Sequence, residues 1–247
     1  MVGAFSYDAR ASHRLMDDPP SAREIGGKGR RRPEQRTPTE TDRDTREVRM
    51  ASRRRLIIAI SGSTGPHYGV RLLEVLREHT DVETHLILTA ASRKTIEYEM
   101  GRDPARVAVL ADKLHDDRDI ASPLASGTFV TDGMIVAPCS IKTLSAIAHS
   151  FADTLVVRAA DVCLKERRRL VLVVRETPLH AGHLKLMLQA TENGAVILPP
   201  MPAFYHLPKA VEEIVDHTVV KILDQFDIHL DLIRRWRGLS ADDSRPE

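Results

Sequence analysis

The chain has 247 residues, 42% hydrophobic and 29% charged, enough to bury one substantial core, so a single average-sized domain plus a tail is expected. A formal net charge of +1 gives no field that would select nucleic acid or an anionic membrane, and no apolar run approaches the ~20 residues that span a bilayer. The two cysteines, Cys139 and Cys163, sit in apolar or helical surroundings rather than at paired ligand spacings; this supports neither a disulfide framework nor a zinc site and points to a reducing cytoplasm.

Residues 1–50 are rich in Arg, Asp, Glu, Pro, Ser and Thr with almost no periodic apolar positions, and read as a disordered polar extension. Asp17, Asp18, Glu24, Glu34, Glu40 and Glu47 argue against a targeting peptide. Met50 stands directly before Ala51-Ser-Arg-Arg-Arg55 and the first strand, so it reads as the natural start, with the preceding segment dispensable. The folded domain is then residues 51–238, followed by a polar tail, 239–247.

From Leu56 the pattern alternates. Strands are expected at Leu56–Ser61, Glu83–Thr89, Gly133–Ala137, Arg169–Val174 and Ala195–Leu198. Helices are expected at Tyr68–Glu78, Ala91–Glu99, Ile141–Ala148, Ala159–Glu166, His183–Asn193 and Lys209–Phe226. Repeated βα units with strands apolar throughout imply an α/β fold: a parallel sheet between two helical layers, a three-layer αβα sandwich. Ligands of such sheets sit beyond the carboxyl ends of the strands, where this chain gathers Ser61-Gly-Ser-Thr-Gly65, Thr89, Pro138-Cys-Ser-Ile-Lys-Thr143, Arg175-Glu-Thr-Pro178 and Pro199-Pro-Met-Pro202.

The first of these turns offers glycine backbone freedom, the hydroxyls of Ser61, Ser63 and Thr64, and the N-terminus of the following helix, which together can cradle a phosphate. A glycine-rich turn also arises for steric reasons alone. No G-x-G-x-x-G, no G-x-x-x-x-G-K-[ST] and no G-x-S-x-G is present, so the dinucleotide, P-loop and nucleophile-elbow readings fall away. Ser140 and Thr143 open a helix and read either as a second donor set for an anion or as an N-cap. Arg175-Glu176 reads either as a phosphate ligand beside a proton donor or as a structural ion pair.

Taken in order, Ser61-Gly-Ser-Thr-Gly65 with Tyr68-Gly-Val-Arg-Leu-Leu73, Ala125-Ser-Gly-Thr-Phe129, Pro138-Cys-Ser140, the block Arg158 to Arg168, Val174-Arg-Glu-Thr-Pro-Leu179 and Pro202-Ala-Phe-Tyr205 closely resemble the flavin prenyltransferase (UbiX-like) family from about Leu56 to Ile228. The resemblance implies a flavodoxin-like sandwich assembling as a large homo-oligomer, commonly a homododecamer, with FMN at subunit interfaces. It further implies transfer of a dimethylallyl group from dimethylallyl phosphate to reduced FMN, the product passing to a UbiD-type decarboxylase.

Carried over by residue, the resemblance implies that Gly62, Ser63 and Thr64 form the first FMN loop. Thr89 contacts the flavin, Ser140, Ile141, Lys142 and Thr143 form the second loop, and Arg175 is a further FMN contact. It implies a prenyl-phosphate pocket of Arg158, Lys165, Tyr205 and Lys221, with Glu176 protonating the leaving phosphate and Glu99 managing the proton lost from the flavin. Two departures stand out. Gly62-Ser63-Thr64-Gly65 occupies the place of a common Gly-Ala-Ser-Gly, leaving a β-branched hydroxyl at Thr64. Lys221 stands where arginine is common, a point charge in place of a fork.

No D-D-x-x-D cluster is present, and the expected chemistry needs no metal. His180 and His183 read as capping or surface positions rather than as ligands, and Cys139 as a packing residue. The apolar face of the last helix, Val211, Ile214, Val215, Val219, Ile222 and Leu223, and the following Ile228, Leu230, Leu232 and Ile233 are expected to pack on a neighbouring subunit. Two other functions stay open. One is a flavin-dependent peptidyl-cysteine decarboxylase on the same fold. The other is a non-catalytic flavin-handling small subunit of a hydroxyarylic acid decarboxylase, a subgroup that Asp81-Val-Glu-Thr-His85 and Met201-Pro-Ala-Phe-Tyr205 resemble.

Overall fold

A computed structural model of the chain describes residues 53–236 and 238. The extension read at 1–50, the start read at Met50 and the tail 239–247 lie outside the described residues. Six strands, β1 (Arg55–Ile60), β2 (Glu83–Leu88), β3 (Lys113–Asp116), β4 (Gly133–Cys139), β5 (Arg169–Val174) and β6 (Ala195–Ile197), pair in parallel in the order β3-β2-β1-β4-β5-β6. The described helices are α1 (His67–His79), α2 (Ala90–Met100), α3 (Pro104–Ala108), α4 (Ile141–Ala148), α5 (Leu155–Lys165), α6 (Ala181–Glu192) and α7 (Val211–Asp224).

Side chains alternate across the sheet and fill two cores, which is why the central strands are apolar at every position. Leu56, Ile58 and Ile60 of β1 face α1, α2, α3 and α7 through Val70, Leu73, Leu76, Ile96, Val107, Val219 and Leu223. Ile57 and Ala59 face α4, α5 and α6 through Leu144, Ile147, Val156, Ala159, Cys163 and Ala190. The result is the three-layer αβα sandwich expected from the alternation.

The structure adds β3, α3 and a 3₁₀ turn at Pro123–Ala125 to the elements read from sequence. Lys113-Leu-His-Asp116 is a mostly exposed edge strand with one aliphatic residue, too short and too polar to register as a strand by pattern. Helix α5 begins four residues before the expected Ala159, because Asp117, far away in sequence, accepts the amide of Val156 at 3.0 Å. Thr154 at the N-cap makes no capping bond with its side chain, which instead bonds Asp117.

One expectation is overturned. The apolar face of α7 packs inside its own chain: Val219, Ile222 and Leu223 are buried in the core shared with α1, and Ile228, Leu230 and Leu232 join it. Helical periodicity says that a face is covered, not by which chain. Val211, at the start of α7, is the exception and stays exposed, continuing a run of uncovered apolar residues at Met201, Phe204 and Leu207, each about two-thirds exposed or more.

Candidate active site

The strand order reverses between β1 and β4, and the segments leaving these two strands flank the crevice that such a switch point opens. Ser61 ties them together. Its hydroxyl donates to the Pro138 carbonyl at 2.8 Å and accepts the Ser140 amide at 2.8 Å. This corrects the reading of Ser61 as a ligand donor, since the side chain is buried and both bonds are spent on the scaffold.

Beyond Ser61 the chain turns sharply. A Cβ on Gly62 would lie 2.3 Å from that of Ala91, so only glycine lets the loop press against the start of α2. Gly65 takes φ +88°, in the left-handed region. Its amide donates to Glu99 Oε2 at 2.9 Å, which brings the expected carboxylate to the loop from α2. Between the glycines, Thr64 is exposed, whereas the Ser63 hydroxyl is buried and has no hydrogen-bond partner. Leaving such a group unpaired costs about 1–3 kcal/mol, so the loop holds a donor prepared for a ligand.

Thr89 caps α2 by accepting the Ser92 amide at 3.1 Å, and Ser140 caps α4 by accepting the Thr143 amide at 3.3 Å. The capping and ligand readings of these hydroxyls are compatible: an oxygen that accepts an amide keeps its own proton to donate. Ser140 and Thr143 share one such proton at 3.0 Å and leave the other available. Ile141 and Lys142 form the first turn of α4, where backbone amides are open to an anion.

Arg175 follows β5 and is anchored by its amide to the Cys139 carbonyl at 3.1 Å. Burial raises the Tyr68 phenol pKa, and the Arg175 charge acts in the opposite direction, which places this guanidinium beside the start of α1. Glu176 is exposed and accepts the amide of Thr177 at 2.9 Å. Among the described residues no ion pair joins it to Arg175, so the structural-pair reading gives way.

The four expected phosphate ligands fall into two groups. Arg158 and Lys165 lie two turns apart on α5 beside the loop Ala125–Phe129: Arg158 donates to the Ala125 carbonyl at 3.1 Å and pairs with Asp161 at 2.8 Å, and Lys165 pairs with Glu166. Arg168, which sequence reasoning did not single out, fastens that loop from the turn between α5 and β5 by donating to the carbonyls of Gly127 and Phe129 at 2.6 and 2.9 Å. Tyr205 and Lys221 belong to the opposite layer, with Lys221 exposed on α7 and the Tyr205 oxygen 2.8 Å from His217 Nε2. One chain does not bring the two groups together.

His180 caps α6 by accepting the Gly182 amide at 3.0 Å, and the His183 ring lies against it, tilted by 37° with ring centroids 3.6 Å apart. Among the described residues no three His, Cys, Asp or Glu side chains are placed to hold a metal ion, and no helix is long and apolar enough to cross a membrane. Burial pushes the Cys139 thiol well above its usual range, as befits a packing residue.

Comparison with known proteins extends the geometry. The Flavoprotein family model matches residues 44–223. Flavin prenyltransferase UbiX of Escherichia coli (strain K12) is 58% identical over 187 residues, 75% of this chain and 99% of that protein. Flavin prenyltransferase UbiX of Thauera aromatica is 54% identical over 184 residues, 74% of this chain and 94% of its own length. Among solved structures, AnUbiX in complex with FMN and dimethylallyl pyrophosphate superposes with a TM-score of 0.75 at 49% identity, covering 76% of this chain and all of that one (100%). A dodecameric FMN-dependent UbiX-like decarboxylase from Escherichia coli O157:H7 gives 0.73 at 50% identity, covering 74% and 100%. With a six-stranded parallel sheet of matching fold and more than half of its aligned residues identical to proteins of one activity, the chain belongs to the flavin prenyltransferase UbiX family of flavoproteins.

Proposed function

We propose that the chain transfers a dimethylallyl group from dimethylallyl phosphate to reduced FMN, producing the prenylated flavin used by a UbiD-type decarboxylase. The observation that carries this reading is the buried, unpartnered Ser63 hydroxyl in the glycine loop at the switch point, facing a need that a phosphate monoester meets. Gly62, Ser63 and Thr64 with Thr89, Ser140, Ile141, Lys142, Thr143 and Arg175 would hold FMN: hydroxyls, amides and one guanidinium suit both its phosphate and its polar ring edge. When bound in reduced form, FMN supplies the electron-rich ring that takes up the allyl carbon.

The protein's part is charge and proton management. Arg158, Lys165 and Lys221 balance the negative charge that grows on the departing phosphate, and Tyr205 donates a hydrogen bond to it. Glu176, exposed and bound only to a neighbouring amide, exchanges that bond for the phosphate and protonates it. Glu99, which reaches the loop from α2, takes up the proton released as the new ring forms. Three fixed cations and a proton donor supply what a metal would, so the reaction runs without one.

Because Arg158 and Lys165 stand on α5 and Lys221 on α7, in opposite layers, the pocket closes between subunits. The exposed run Met201 (72%), Phe204 (66%) and Leu207 (71%) is the surface a neighbouring copy would cover. The dodecameric relative supports a homododecamer. Residues 51–238 constitute the working domain, 1–50 are dispensable, and the enzyme acts in the cytoplasm. Anaerobic single-turnover reaction of the purified chain with reduced FMN and either dimethylallyl phosphate or its pyrophosphate, read by the mass of the extracted flavin, tests the reading. One added prenyl unit from the monophosphate is expected. An unmodified flavin with both donors would leave the flavin-handling subunit as the better description.

A further inference from the structure

Tyr205 has a partner that the sequence did not reveal. Its phenol oxygen stands 2.8 Å from Nε2 of His217, a buried residue of α7 that precedes Lys221 by one helical turn, so imidazole and ammonium lie on one face. His206 stacks on His217 with ring planes 2° apart and centroids separated by 5.2 Å. Neither ring nitrogen of His206 has a hydrogen-bond partner, so it fixes the plane of His217 without competing for its nitrogens.

The surroundings decide what His217 can do. Facing it are Tyr205 and His206 from the preceding segment and Lys221 from its own helix. Its neighbour Asp216 is spent on Arg71 of α1 at 2.6 Å, and Arg235, from the segment after α7, is spent on Asp224. Burial, with His206 and Lys221 adding to it, lowers the His217 pKa and keeps the ring neutral. A neutral imidazole has a single N–H to place. If that hydrogen is on Nδ1, Nε2 takes the phenol proton and Tyr205 has nothing left to donate; if it is on Nε2, the phenol oxygen accepts and its own proton is released toward a ligand.

We propose that His217 is a positioning residue that donates Nε2–H to the Tyr205 oxygen and thereby frees the phenol O–H for the substrate phosphate. This rests on the reading of Tyr205 as a phosphate ligand. KM for dimethylallyl phosphate and kcat, measured on the full chain with saturating reduced FMN, test it. His217→Phe, which keeps the ring volume but removes the N–H that orients the phenol, should raise KM about fivefold, the value of one neutral hydrogen bond, with kcat and FMN affinity held. His217→Gln, whose amide donates from a similar position, should restore KM. Tyr205→Phe should raise KM as well, and adding His217→Phe to it should change nothing further. An additive effect in the double variant, or failure of Gln to rescue, overturns the proposal. If Tyr205→Phe raises KM and His217→Phe does not, only the role of His217 falls; if Tyr205→Phe leaves KM unchanged, the reading of Tyr205 falls with it.

Discussion

Glu99 Oε2 accepts the amide proton of Gly65 at 2.9 Å, so a carboxylate at the end of α2 holds the last glycine of the loop between β1 and α1. The same side chain is thus a brace for the loop and a candidate proton acceptor, and two substitutions separate these roles. Glu99→Gln keeps an oxygen for the Gly65 amide and should leave FMN affinity near normal while slowing prenylation. Glu99→Ala loses both and should weaken FMN binding by about 1.5–3 kcal/mol, the value of a hydrogen bond to a charged group. Fluorescence titration of FMN beside the prenylation rate reads both; equal FMN losses in the two variants would contradict the brace.

Glu176→Gln preserves shape and removes the acid. FMN binding should persist and prenylation should slow by about 10²–10⁴-fold, the range for a positioned proton donor. Near-normal turnover would remove Glu176 from the mechanism.

Lys221 is exposed on α7, and in the proposed pocket it would offer the phosphate a point charge. Lys221→Arg should preserve or improve donor affinity, and Lys221→Met should weaken it by about 1.5–3 kcal/mol, with FMN affinity unchanged. Matching losses of FMN and donor binding in the Met variant would make the residue structural.

A buried relay at the sheet edge makes stability depend on pH. Glu83 is bonded by Lys113 at 2.9 Å, by Arg55 at 3.1 Å and by His85 Nε2 at 3.1 Å. His85 Nδ1 meets His115 Nε2 at 3.0 Å, and Ser122 closes the chain on His115 at 2.9 Å. With the carboxylate accepting from His85, both imidazoles are neutral and each uses both nitrogens. Burial depresses the His85 pKa to about 4 from 6.5; burial pushes Glu83 up, yet the Lys113 and Arg55 bonds outweigh it and hold Glu83 at about 2 against 4.5. In both cases the unfolded chain binds the proton first, so stability is full above the unfolded pKa and falls with pH. The loss runs from about 6.5 to 4 through His85, then continues below 4.5 through Glu83. Urea midpoints should decline across the upper window, and His85→Gln, which does not titrate, should flatten it. An unchanged slope in that variant would place the loss elsewhere.

The sequence carried the sandwich because the apolar strands and helical faces are periodic, and it carried the position of the two candidate ligand loops because glycine and hydroxyl residues cluster where β1 and β4 end. It did not carry what depends on distant partners. Ser61 reads as a ligand donor until Pro138 and Ser140 are seen to consume it. The start of α5 depends on Asp117, and β3 has a single aliphatic residue. The face of α7 could not be assigned to its own chain or to a neighbour from spacing alone. His206 and His217 passed unnoticed, although one adjoins Tyr205 and the other lies a turn before Lys221, because neither belongs to a spaced motif.

The central claim is that prenyl transfer occurs in a pocket that no single chain completes, with α5 contributing Arg158 and Lys165 and α7 contributing Lys221. Mixed assemblies test it most directly. Arg158→Ala and Lys221→Met chains, each assayed alone at donor concentration well below KM and then after dissociation and joint reassembly, are compared by the mass of the extracted flavin. The account predicts that the mixture recovers prenylated flavin beyond the sum of the parents, because some interfaces pair an intact α5 with an intact α7. A mixture no better than that sum, with both chains shown to co-assemble, would contradict a site built between subunits.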